Sequence, residues 1–170
     1  MPQLIRDRAL ADDRFALLRE AKSLADIPDG VAAIVPLALW LERRAALIAR
    51  GEIGVLLGPA DDPAALADDV VRLLVIAVDF PAFTDGRGLS TARLLRERFR
   101  YEGELRAVGD IQRDQLFALS QCGFDSFLLK DGRDAKAALE GFADFDSIYA
   151  PTTREPQPWF RRRVAGSVGR

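Results

Sequence analysis

The chain has 170 residues, of which 49% are hydrophobic and 29% charged, with a formal net charge of -2, the profile of an ordinary globular protein. That balance argues against a general binder of nucleic acid or of an acidic membrane surface, since such proteins carry a basic excess. The sequence contains no His, which excludes an imidazole general base, Ser-His-Asp or Cys-His catalysis, and any His-containing metal site.

Met1 to Asp7 lacks the apolar core of a signal peptide, and no apolar run reaches the ~18 residues of a membrane span, so a cytoplasmic protein is expected. Residues 1–30 read as an N-terminal arm or helix. In it Phe15, Leu17, Leu18 and Leu24 have a loose helical spacing that ends in the Ile27-Pro28-Asp29-Gly30 turn. Residues 31–151 read as a single α/β domain. Val31 to Val35 is its first strand candidate, and Pro36 suits the start of a helix over Leu37 to Arg50 that Gly51 stops. Within that helix Trp40 reads as a packing residue. Ile53 to Leu57 is a second strand, and Asp62 is placed to cap a helix from Pro63 to about Val71.

Leu73 to Val78 is the strongest strand signal, because a continuous apolar run is what a strand covered on both faces requires. A charged, glycine-bearing loop follows, and Ser90 or Thr91 is expected to cap a helix running to Arg100. Beyond it come a strand at Glu104 to Val108, a helix at Ile111 to Gln121, a strand at Phe124 to Leu129, a helix at Asp134 to Phe142 and a last strand at Asp146 to Tyr149. The single Cys122 reads as a small buried residue, unable alone to form an internal disulfide or hold an iron–sulfur cluster. Residues 152–170 form a tail in which Trp159-Phe160-Arg161-Arg162-Arg163 suits docking on an acidic partner, packing on its own domain, or a solvated end.

Five or six strands separated by helices predict an α/β fold with a mainly parallel sheet, since parallel strands need long crossovers. An open doubly wound sheet is expected, with a truncated β/α barrel as the alternative. Either form gathers the loops after the strands on one rim. There Asp79, Asp85, Arg87, Asp110, Arg113 and Arg133 converge as candidates for an anionic ligand, and Gly86 and Gly88, with Ser90, allow backbone to approach it. Asp79 and Asp85 are the candidate acid and base. The competing structural account is that Asp caps turns at strand ends while Arg pairs with Asp on a solvated rim. No metal site is indicated, and Gly86-Arg87-Gly88 is neither a dinucleotide fingerprint nor a phosphate-cradling loop.

Asp79-Phe80-Pro81-Ala82-Phe83-Thr84-Asp85-Gly86-Arg87-Gly88, then Ser90, Arg93 to Arg96, Gly103 to Asp110, Arg113 to Leu116 and Cys122 to Asp125, together resemble a bacterial domain of unknown function, family 934. The resemblance is ordered over about Val35 to Pro151. Leu89 departs from it, standing where the family usually has a Tyr. Family members are often labelled probable oxidoreductases of sulfite reduction, being typically encoded beside assimilatory sulfite reductase and the phosphoadenylylsulfate or adenylylsulfate reductase. The resemblance thus implies a place in assimilatory sulfate reduction. Sulfite reduction is carried by sirohaem, iron–sulfur, flavin or nicotinamide groups, and no motif for any of these is evident here. The expectation is an accessory protein whose rim binds sulfite reductase or an anionic intermediate. The alternatives are a small α/β enzyme acting on a sulfated, phosphorylated or carboxylated metabolite, with Arg87 and Arg113 holding the anion, or a flavin-dependent oxidoreductase.

Overall fold

The apolar runs become parallel strands, and the segments between them cross over on one face of the sheet. The computed structural model describes residues 3–82, 84–130, 132, 134–140 and 142. The chain opens with β1 (Gln3–Arg6), β2 (Ala9–Ala11) and β3 (Phe15–Leu17). Then follow β4 (Ala32–Pro36), α1 (Leu37–Arg50), β5 (Ile53–Leu57) and β6 (Val75–Phe80). The remainder is α2 (Arg87–Arg93), β7 (Glu104–Gly109), α3 (Gln115–Gln121), β8 (Ser126–Leu129) and α4 (Ala135–Glu140). The eight strands form one sheet in the order β2-β1-β8-β7-β6-β5-β4-β3. From β3 to β8 neighbours are parallel, whereas β1 is antiparallel to both β8 and β2.

The mainly parallel α/β class is therefore as expected, but two details differ. A doubly wound sheet reverses its strand order and so sends helices to both faces. Here the order from β3 to β8 never reverses, and crossovers of the usual single hand then put every helix on the same side. The packing agrees: Leu39, Trp40, Leu95, Leu116 and Ala138 join Val35, Val55, Val78, Ala107 and Phe127 in one core. The opposite face holds Phe15, Ala32, Ile34, Leu56, Val75, Ala77 and Val108 with no helical residue among them. The sheet is a curled half-barrel. Among the described residues it also has eight strands rather than five or six, because the N-terminal arm is itself extended. Phe15 and Leu17 share the concave face at a spacing of two, the period of a strand rather than a helix. Only Leu24–Asp26 in that stretch makes a 3₁₀ turn. The last expected strand, Asp146 to Tyr149, and the tail lie outside the described residues.

Curling is imposed by chain length. β2 and β3 occupy opposite edges of the sheet, yet only Asp12, Asp13 and Arg14 separate them. Four Cα steps span at most about 14 Å, whereas the edges of eight flat strands would lie roughly 33 Å apart. The concave face is then closed by a side chain. Arg106 of β7 is 1% exposed, and its Nη1 donates to both Asp13 carboxylate oxygens at 2.9 Å while its Nε donates to Glu104 Oε1 at 2.8 Å. Arg6 of β1 lies 3.5 Å from Glu104, so the charges of the cluster balance.

A second arginine ties down the other strand ends. Arg96 sits in the π-helical turn Leu94–Arg98 that continues α2. It donates to the carbonyls of Tyr101 (2.6 Å), Gly103 (2.9 Å) and Gly123 (3.0 Å) and to Asp125 Oδ2 (2.7 Å), while Asp125 Oδ1 accepts the Leu105 N–H at 2.9 Å. Burial pushes the Asp125 carboxyl up against the pull of Arg96. Elsewhere the expected helix from Pro63 divides into two 3₁₀ turns, Pro63–Leu66 and Val70–Arg72, with Asp62 accepting from the Ala64 N–H at 2.9 Å. In the break, buried Asp69 accepts from Trp40 Nε1 at 3.0 Å and pairs with Arg44. Trp40 packs as expected, at 1% exposure. Among the described residues no helix is long and apolar enough to cross a membrane.

Removing one partner from a buried ionic cluster leaves charge uncompensated, so Arg106→Ala is expected to lower the unfolding free energy by roughly 3–5 kcal/mol in urea denaturation. Burial, the largest single influence, would raise the Glu104 carboxyl, but the charges of Arg106 and Arg6 and the side-chain hydrogen bonds it accepts together outweigh burial and hold the group below its ordinary value. The unfolded chain therefore takes up the proton first on acidification, and the stability Glu104 contributes above its ordinary pKa is lost as pH falls through the lower folded value. Glu104→Gln is expected to make the urea midpoint less sensitive to pH below ~4.3.

Candidate functional site

The period of two along each strand decides which side chains reach the mouth of the half-barrel. On β6, Val75 and Ala77 face the concave side and Asp79 follows them. On β7 it is Val108 and then Asp110, on β8 Leu128 and then Lys130, and on β3 Leu17 and then Arg19. Because β3 to β8 are parallel, all four polar residues emerge at the C-terminal end of the sheet. They line a cleft of about 390 Å³ whose apolar walls include Leu17, Phe80, Pro81 and Leu128.

The four charges are arranged in two pairs. Arg19 Nη1 lies 2.6 Å from Asp79 Oδ1, which fastens the β3 edge to β6 across the mouth, and Lys130 Nζ lies 3.3 Å from Asp110 Oδ1. The carboxylates are the deeper members: their side chains are 19% and 28% exposed for Asp79 and Asp110, against 38% and 56% for Arg19 and Lys130. Gly109 sets the wall between them. Its φ is +105°, and a Cβ there would stand 2.3 Å from the Phe80 carbonyl oxygen and 2.8 Å from Asp79 Oδ1. The close approach lets the Asp110 N–H donate to that carbonyl at 2.7 Å.

Of the residues expected on the rim, Asp79 and Asp110 are brought together in the cleft. Asp85, Gly86, Arg87, Gly88, Ser90 and Arg113 are not among its lining, and Arg133 lies outside the described residues. Asp85 and Arg87 instead face one another. Arg87 Nε donates to Asp85 Oδ1 at 2.9 Å, Nη2 to Oδ2 at 2.7 Å, and the Arg87 backbone N–H to Oδ1 at 3.1 Å. These bonds hold the Asp85 carboxyl below its ordinary value and raise the Arg87 guanidinium. α2 itself starts at Arg87, ahead of the expected cap at Ser90 or Thr91. Gly88 is buried, and a Cβ on it would meet the Phe80 ring at 2.5 Å; its small size serves packing between α2 and β6. Nothing lies within 4 Å of a Cβ built on Gly86. Ser90 and Arg113 are exposed.

Arg19 and Lys130 are the charged cleft residues that the sequence pattern alone does not single out. Each lies two positions beyond a concave-facing Leu, Leu17 and Leu128, and that spacing was the available signal. Among the described lining residues none is Ser, Thr, Cys or Tyr, so the cleft presents carboxylates, cations and apolar surface.

Residues 54–160 match the sequence profile of a family described as a bacterial protein of unknown function (DUF934), and the chain belongs to that family. No curated protein and no solved structure matches it. Asp79, Asp110 and Lys130 fall within the matched residues, whereas Asp13 and Arg19 precede them.

The glycines separate packing from openness in a direct test. Gly88→Ala is expected to cost roughly 1–3 kcal/mol through overpacking against Phe80. Gly86→Ala, at an open position with ordinary φ, should fall within about 0.5 kcal/mol of the parent in the same thermal or urea measurement.

Proposed function

We propose that this protein is an accessory factor of assimilatory sulfite reduction that acts by binding, its strand-end cleft contacting sulfite reductase or holding an anionic intermediate. The resemblance to a family encoded beside the reductase supports the pathway. The cleft supports the mode of action. It lies where parallel α/β sheets gather their ligand-binding loops, and its volume of about 390 Å³ falls within the usual ligand-site range of about 300–1,000 Å³. The observation that carries the reading is the convergence of Arg19, Asp79, Asp110 and Lys130 from four strand ends onto apolar walls. Lys130, the most exposed of the four side chains, is the natural first contact for an anion or an acidic surface.

Tagged protein recovered from sulfate-grown cells is expected to carry sulfite reductase, identified by mass and by the absorption of its cofactors, or else the purified chain binds sulfite by calorimetry. Lys130→Glu should reduce either signal about tenfold. Absence of both the reductase and sulfite binding would overturn the reading, and a flavin retained by the isolated chain would move the redox chemistry into the chain itself.

A further inference from the structure

The charge arrangement of the cleft narrows its ligand beyond the proposal above, on whose reading of the cleft as a ligand site this inference rests. Among the described lining residues two cations and two carboxylates sum to zero, and each cation has a carboxylate within 3.3 Å. An ion carrying only negative charge gains attraction from the more exposed Lys130, but Asp110 beside it offsets part of that gain. A cation suffers the reverse. A ligand bearing both charges a few bonds apart meets complementary groups at both ends.

We propose that the cleft binds a zwitterion of the α-amino-acid class, its carboxylate on Lys130, its ammonium on Asp110, and its apolar side chain against Leu17, Leu128 and Pro81. Lys130 and Asp110 form the pair that opens. Their separation of 3.3 Å is the looser one, and Lys130 is 56% exposed. Arg19 and Asp79, at 2.6 Å, stay closed because they fasten β3 to β6. A carboxylate offers about four acceptor positions, so Asp110 receives an ammonium without giving up its other contacts. The Leu17, Phe80, Pro81 and Leu128 walls take the side chain out of water and favour an aliphatic one.

The test is calorimetric titration of the full chain with free alanine, valine, leucine and methionine, with their N-acetyl and carboxamide forms, and with sulfite and inorganic phosphate. At least one free amino acid is expected to bind, and removal of either ligand charge, or the substitutions Lys130→Gln or Asp110→Asn, should weaken it about tenfold or more. Lys130→Gln changes a largely exposed side chain, so its result stands even where Asp110→Asn perturbs folding. The proposal is overturned if no free amino acid binds, or if an N-acetyl form binds as tightly as its parent. Sulfite binding that Lys130→Gln abolishes, with no amino acid bound, would sink the zwitterion while leaving the cleft as a ligand site. Amino-acid binding that neither substitution weakens would place the ligand elsewhere and overturn the proposal.

Discussion

Three residues, Asp12 to Arg14, have to carry the chain from one edge of an eight-stranded sheet to the other. No flat sheet satisfies that link, so the strands curl and the concave face narrows to an interior that side chains fill. Asp13, on the link itself, is then held against Arg106 from β7, four strands away from β3 in the sheet order. A buried arginine is costly unless it is fully hydrogen-bonded and matched in charge. Glu104, with Arg6 beside it, supplies the rest of that match. The same curl acts at the opposite end, where Arg19 just beyond β3 reaches Asp79 just inside the end of β6. The cleft exists because the β3 edge comes round to meet the ends of β6, β7 and β8.

The chain's arginines do different work according to what surrounds them. Arg106 is sealed inside and Arg96 gathers three carbonyls and a carboxylate at the N-terminal ends of β7 and β8. Both uses depend on the planar fork of donors that Lys lacks. Several stretches that carry the family resemblance, including Arg96, Gly103, Gly123 and Asp125, therefore belong to the scaffold. Phe80 has a comparable role near the site. It fits beneath Gly88 of α2, and its carbonyl meets the Asp110 N–H, so the loop after β6 and the turn after β7 are fixed relative to each other.

Long apolar runs were legible in the sequence: β5 falls on Ile53–Leu57 and α1 on Leu37–Arg50 as the pattern predicts. What escaped were strands of three or four residues at the N-terminus. In so short a segment a period of two and a period of 3.6 both find support, and only pairing with a distant strand decides between them. Missing β3 also hid Arg19, because a residue becomes part of a rim only once its strand joins the sheet. Asp79 was found because the strand before it is strongly apolar, and Asp110 because Gly109-Asp110 follows directly on the strand expected over Glu104 to Val108. The Asp85–Arg87 pair looked equally attractive on the same loop, but the Asp satisfies its neighbour two residues on, a local preference of Asp that sequence spacing alone does not separate from a ligand role.

The proposed function puts the working surface in the cleft between Asp79 and Lys130 rather than along the exposed start of α2, and growth on sulfate as the sole sulfur source, in a strain lacking the protein, separates the two. Complementation should fail with the Asp110→Asn, Lys130→Gln double variant and succeed with Asp85→Asn, Arg87→Ala, both proteins accumulating to parental levels. Normal growth with the cleft variant would contradict the claim, most plainly if the Asp85, Arg87 variant were the one that failed.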